Sequence, residues 1–174
     1  AWGNEYLSAL IEAGCEPSIV ANNIKFNFGV GGNYFMEIAK FRAAKLLWAN
    51  VVDAYQVKCV KDNCQHTVDG ICKCAAKMRI HAQTTEFNKT IFDANVNMLR
   101  TQTEAMSATL GGVNSLTVLP YDSTYKKADE FSERIARNQQ LLLKEESHFN
   151  KVADPAAGSY YIETLTNEIA AQAW

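Results

Sequence analysis

His81 and Gln83 stand two residues apart in the segment RIHAQT, residues 79–84. On an extended chain alternate side chains leave the same face, so these two groups point together toward one ligand or one neighbour. A neutral imidazole donates from one nitrogen, for instance to a thioester carbonyl, and accepts at the other, while a glutamine amide does both. Thr84 and Thr85 gather at the same C-terminal strand end, where parallel βα architectures place their ligand chemistry. The competing reading is that His81 and Gln83 satisfy each other inside a packed interior, as buried polar pairs ordinarily do. For a chain without a working site we expect that pairing.

Arg100 carries a planar fork suited to phosphate or carboxylate, as do Arg134 and Arg137. An ion pair with Glu104, four residues on, explains Arg100 equally well. A second cluster lies upstream in KCVKDNCQHTVDGICKC, where Cys59, Cys64, Cys72 and Cys74 fall within sixteen residues and His66 lies among them. Such a group could bind zinc in a reducing compartment or form disulfides in an oxidising one. Four residues separate Cys59 from Cys64 and one separates Cys72 from Cys74, so the C-x2-C pairs of a strong zinc motif are missing. We read residues 57–76 as a Cys-rich loop insertion, with zinc as the alternative. No serine-histidine-acid or activated-cysteine arrangement is evident.

The chain has 174 residues, 48% hydrophobic and 21% charged, which suits one domain with a real core. A net charge of −2 gives no basic footprint for nucleic acid. No apolar run approaches the ~18 to 20 residues that span a bilayer. Residues 1–14 contain Glu5 and Glu12 with no basic region ahead of an apolar run, unlike a secretory signal. A cytoplasmic chain that contacts neither membrane nor nucleic acid is expected.

The elements that must position these residues follow from periodicity. A helix is predicted over 4–13, capped by Gly14, and a strand over 23–30 closed by Gly29, Gly31 and Gly32. GVGG lacks the third glycine of a dinucleotide fingerprint. A helix over 34–55 is apolar on more than one side. After the cysteine loop come the strand ending at Gln83 and a helix over about 93–110, its buried stripe formed by Met98, Leu99, Ala105, Met106 and Leu110. A strand over 114–119, a helix over 128–146, a very short strand over 151–154 and a last helical stripe of Leu165, Ile169 and Ala173 complete the order. Strand-helix alternation repeated four times predicts an α/β fold with a parallel sheet. About four βα units make half of an eight-stranded barrel of the TIM type. The abrupt start and the uncapped end at Trp174 suggest an excerpt of a longer chain, whose open strand edges would favour self-association.

Several segments resemble the substrate-binding barrel of the methylmalonyl-CoA mutase family. They are YFMEIAKFRAAKLLWA (34–49), RIHAQT (79–84), LRTQTEAMSATLGG (99–112), FSERIARNQQLLLKEE (131–146) and KVADPAAGSYYIETLT (151–166). The resemblance implies the C-terminal half of that barrel. It also implies a parent enzyme that interconverts methylmalonyl-CoA and succinyl-CoA by a radical rearrangement using adenosylcobalamin. The CoA ester would thread the barrel axis, with the cofactor on a separate domain.

The departures narrow this expectation. Catalytic chains of the family follow H-x-Q-T with serine-glycine-tryptophan, where this chain has Thr85, Glu86 and Phe87. They carry histidine-threonine-asparagine after the next strand's serine-leucine, where this chain has Thr117, Val118 and Leu119. Helix-packing residues are kept while strand-end residues have changed. The resemblance therefore implies a fragment of the non-catalytic small subunit of the bacterial heterodimeric enzyme, partnered by the catalytic large subunit. Its vestigial substrate contacts would be His81, Gln83 and Arg100. By the resemblance, adenosylcobalamin would be bound by a separate domain of the parent enzyme, to which the family's D-x-H-x-x-G ligand motif belongs; none of His66, His81 and His148 sits in such a motif. The alternative is half of a catalytic, CoA-ester-binding barrel.

Overall fold

The computed structural model describes residues 1–58, 67–68 and 71–174. Three parallel strands form its central sheet: β1 (Lys25–Val30), β4 (Arg79–Thr84) and β5 (Ser115–Thr117), in the order β1-β4-β5. A two-residue antiparallel hairpin, β2 (Thr67–Val68) with β3 (Ile71–Cys72), lies between the first two in sequence. Among the described residues six α-helices accompany them: α1 (Trp2–Glu12), α2 (Pro17–Asn23), α3 (Tyr34–Ala54), α4 (Asn97–Leu110), α5 (Glu130–Glu145) and α6 (Tyr160–Ala173). The α/β class and the parallel sheet expected from the alternation are both present.

Local chemistry sets most of the boundaries. Gly14, at φ +89°, turns the chain after α1 while its N–H and that of Cys15 donate to Ile11 and Leu10 carbonyls. Pro17 opens α2, where a missing N–H costs nothing. Asp129 and Ser132 cap α5 reciprocally: Ser132 N donates to Asp129 Oδ1 at 2.9 Å and Asp129 N to Ser132 Oγ at 3.0 Å.

Three expectations are corrected. The fourth strand, at 151–154, does not form; a 3-10 turn (Phe149–Lys151) follows His148 at φ +53°, and Lys151 N donates back to His148 O. A strand so short is held only by pairing, and among the described residues none pairs with the outer edge of β5. The helix predicted from residue 93 starts at Asn97, after Asp93 at φ +52° and a 3-10 turn (Ala94–Val96). Its buried face is also different. Asn97, Thr101, Glu104, Ala105, Ser107 and Ala108 are buried, whereas Leu99 is 67% exposed, because small and hydrogen-bonded side chains let α4 lie close to the sheet.

The sheet core comprises Val30, Phe41, Ile80, Ala82 and Ala108, all fully buried. Even-numbered strand residues supply it, since the pleat sends Val30, Ile80 and Ala82 to the helix side. Helix α3 buries several stripes, as its broad apolar surface requires, packing on both α4 and α6. Gly111, at the C-terminal cap of α4, packs tightly on α3: a Cβ there would meet Phe41 Cδ2 at 2.8 Å and Cβ at 3.0 Å. Lys45 reinforces the junction by donating to Gly111 O at 3.0 Å and also to Gly112 O, covering carbonyls that the end of α4 leaves free.

Gly111 has an ordinary helical φ of −70°, so its requirement is steric. In urea unfolding of the parent chain, Gly111→Ala is expected to lose about 1 to 3 kcal/mol through overpacking against Phe41. Gly14→Ala, where nothing lies within 4 Å but φ is +89°, is expected to lose about 1 kcal/mol from backbone strain alone. Equal midpoints for Gly111→Ala and the unsubstituted chain would show that α3 and α4 can separate freely.

Candidate functional site

The odd-numbered strand residues form the face opposite the helices, and strand register arranges them in rows. Asn27, His81 and Ser115 share one row; Gly29, Gln83 and Thr117 share the next toward the strand C-termini. Asn114 fixes the offset of β5: its side-chain Oδ1 accepts from Ile80 N at 2.8 Å, and its own N–H donates to Ile80 O at 2.9 Å. Thr84, fully buried, accepts from Leu119 N at 2.9 Å and ties the following loop to β4.

This face opens into a concavity of about 900 Å³, lined by His81, Gln83, Thr85, Glu86, Phe87 and Leu119 among others. His81 and Gln83 are therefore brought together, as predicted, at the strand ends. They do not satisfy each other. His81 Nδ1 lies 2.8 Å from Ser115 Oγ and Nε2 lies 3.3 Å from Thr117 Oγ1. Since a neutral imidazole has one donor and one acceptor, the two hydroxyls occupy both. The alternation of Ser115, Leu116 and Thr117 places both hydroxyls on one face, but no local pattern names His81 as their partner. Gln83 is exposed, and Glu86 at the rim accepts from Ser123 Oγ at 3.1 Å.

Arg100 stands apart from this group. Its Nη1 donates to Asn97 Oδ1 at 2.8 Å, and it does not line the concavity. Its expected partner Glu104 is engaged elsewhere. Asn97 is itself a buried staple, donating to Thr90 O at 2.9 Å and Tyr121 O at 3.1 Å. Arg134 lies 5.6 Å from the centre of the Phe131 ring. Of the cysteine candidates, Cys59 and Cys64 lie outside the described residues, Cys72 belongs to β3 and Cys74 follows it in a half-buried turn. Among the described residues no three metal-ligating side chains come together.

The strongest polar cluster was not evident from the sequence. Lys89 Nζ lies 2.6 Å from Glu104 Oε1, Asn88 Nδ2 donates to the same oxygen at 2.6 Å, and Lys89 also donates to Asn88 Oδ1 at 2.7 Å. Both charged side chains are buried, at 3% and 0% exposure. The cluster anchors the loop after β4, whose tip carries Phe87 almost fully exposed. Burial holds the Glu104 carboxyl above its ordinary value, with Lys89 and Asn88 opposing that shift. No local pattern signals it, because Lys89 and Glu104 lie fifteen residues apart on different elements.

The family model for Methylmalonyl-CoA mutase matches residues 1–174. The methylmalonyl-CoA mutase small subunit of Porphyromonas gingivalis is 59% identical over 174 residues, covering 100% of this chain and 26% of its own length. The large subunit from the same organism is 40% identical over 172 residues, covering 99% of this chain and 22% of its own. The small subunit of Streptomyces virginiae is 40% identical over 174 residues, again covering 100% and 26%. The chain thus spans about a quarter of the length of these curated relatives.

The buried ion pair makes two predictions. Lys89→Met strands the Glu104 carboxyl and is expected to cost about 3 to 5 kcal/mol in urea unfolding. Because the folded-state pKa of Glu104 is raised, the folded chain holds this proton more tightly than the unfolded chain. Its stabilising contribution is full below the unfolded value and is lost as pH rises through the folded one. Glu104→Gln is expected to remove that decline from the stability profile; an unchanged slope would refute the assignment.

Proposed function

Because the chain belongs to the methylmalonyl-CoA mutase family, we propose that it is part of the small, non-catalytic subunit of a heterodimeric mutase. Its parent would support a large subunit that isomerises methylmalonyl-CoA and succinyl-CoA. The whole-chain match to two small subunits supports the placement, and both organisms also have a large subunit. A cytoplasmic location belongs to the same proposal; among the described residues no helix is long and apolar enough to cross a membrane.

The observation that carries the non-catalytic character is the state of His81. Catalysis by positioning needs a donor free to meet charge that develops on the substrate. Here Ser115 and Thr117 flank the ring from the neighbouring strand and occupy both nitrogens. Thr117 stands where catalytic relatives begin a histidine-threonine-asparagine triplet, so the change at that strand coincides with the group that occupies His81.

Adenosylcobalamin would supply the radical chemistry in the assembled enzyme. The imidazoles described in this chain do not fit it: His81 is tied within the sheet, and His148 is an exposed residue in a left-handed turn. We therefore assign the cofactor to another part of the assembly and route no chemical step through this chain. The residues described contribute a scaffold, a polar sheet face and a loop pinned by a buried ion pair. The runner-up reading, half of a catalytic barrel, draws on Gln83, which is exposed on the concavity and could contact a CoA ester.

The full parent chain and the large subunit, purified separately and mixed with adenosylcobalamin, distinguish the two. Stable association is expected, with turnover whenever the large subunit is present and none from the parent chain alone. His81→Ala in the parent chain is expected to leave turnover of the mixture within about twofold. Turnover by the parent chain alone, abolished by the same substitution, would establish the catalytic reading instead.

A further inference from the structure

The loop between β4 and α4, residues 85–96, presents large apolar side chains to solvent. Phe87 is 98% exposed, Ile91 62% and Phe92 80%, and Leu99 on the first turn of α4 is exposed as well. Single exposed apolar residues are ordinary on a protein surface, whereas a group of them on one loop marks a contact site.

This loop is also held more firmly than an exposed connection requires. Lys89 and Asn88 fasten it to Glu104 inside the protein. Thr90 N donates to Asn97 Oδ1 at 3.2 Å, Asn97 Nδ2 donates to Thr90 O at 2.9 Å, and Phe92 N donates to Thr90 Oγ1 at 3.1 Å. A buried ion pair is a poor source of stability, and its best use is to fix one arrangement of the chain. The three apolar side chains therefore start from a fixed backbone, so a partner that meets them loses little to ordering.

Charge describes what such a partner must offer. Among residues 85–96 the charged side chains at the surface are Glu86 and Asp93. The one cation, Lys89, is 3% exposed and engaged with Glu104. An apolar centre with an acidic rim complements an apolar socket with a basic rim, because unlike charges around an interface guide the approach and like charges oppose it.

We infer that Phe87, Ile91 and Phe92 form a rigid docking knob for a protein surface with an apolar socket ringed by lysine and arginine, and that the large subunit carries this surface. The identity of the carrier rests on the subunit reading above. The competing occupant is the rest of the parent chain, whose internal contacts would be expected in both kinds of subunit. Glu86, which supplies half of the acidic rim, stands where catalytic chains of the family have glycine. A rim charge particular to one kind of chain suits a contact that this kind alone makes.

The full parent chain passed over the immobilised large subunit, with association and dissociation rates read at low and high salt, tests the surface. The double substitution Phe87→Ala and Phe92→Ala is expected to weaken binding at least about tenfold, the scale of losing central aromatic anchors. Glu86→Gln with Asp93→Asn is expected to slow association about threefold at low salt and to change it little at high salt. Thermal unfolding of the parent chain alone separates the occupants: the Phe87, Phe92 variant is expected to keep its midpoint, since both rings are exposed until the partner arrives. A fall of more than about 3 °C would mean that the parent chain itself covers the rings, and would overturn the proposal. Undiminished affinity of that variant for the large subunit would overturn it too, including the case in which two copies of the parent chain meet through this loop. Absence of binding by the unsubstituted chain would instead refute the subunit reading, and the proposal with it.

Discussion

The parallel pairing of β1 with β4 is the constraint on which the rest depends. Six consecutive register pairs lock the two strands, and β5 adds three more on the other side of β4. Side chains alternate across a pleat, so this register sends Val30, Ile80 and Ala82 to the helices and His81, Gln83, Ser115 and Thr117 to the open face. A slip of one residue would exchange the two sets and bury the polar groups. Core and candidate site are therefore two consequences of one alignment.

Around that alignment, polar contacts between elements distant in sequence hold the loops. Lys45 on α3 closes the end of α4, while Lys89 and Asn88 fasten the loop after β4 to Glu104. Arg42 on α3 bridges to Asp154 and Glu163, joining α6 and the segment before it to the same helix. These contacts explain why α3 carries charged residues on a helix that is otherwise broadly buried. They also separate the two ends of the sheet: the C-terminal end is framed by pinned loops, and the N-terminal end presents Lys25 and Arg79.

Under the proposed small-subunit reading, the strand-end residues have a physical meaning in this setting. Replacement of strand-end residues leaves the helix-facing positions, and so the fold, intact. It changes what the open face can do, because a hydroxyl at Thr117 now meets His81. The sheet core is built from the opposite, helix-facing set.

Periodicity and capping residues determined much of this protein directly. The α/β class, five of the helices, and the strands at Lys25–Val30, Arg79–Thr84 and Ser115–Thr117 are written in local patterns and in stops such as Gly14 and Gly112. The placement of His81 and Gln83 on one face at a strand end follows from a two-residue period alone. Tertiary structure decided the rest. Whether residues 151–154 become a strand depends on a neighbouring edge, which no local pattern encodes. The partner of His81 depends on the register of β5, and the buried face of α4 depends on how closely it approaches the sheet. Glu104 looks like a surface residue in sequence; only the arrival of Lys89 and Asn88 from another element allows it to be buried. Local preferences fix which elements form, but interactions between distant residues exist only after those elements have packed.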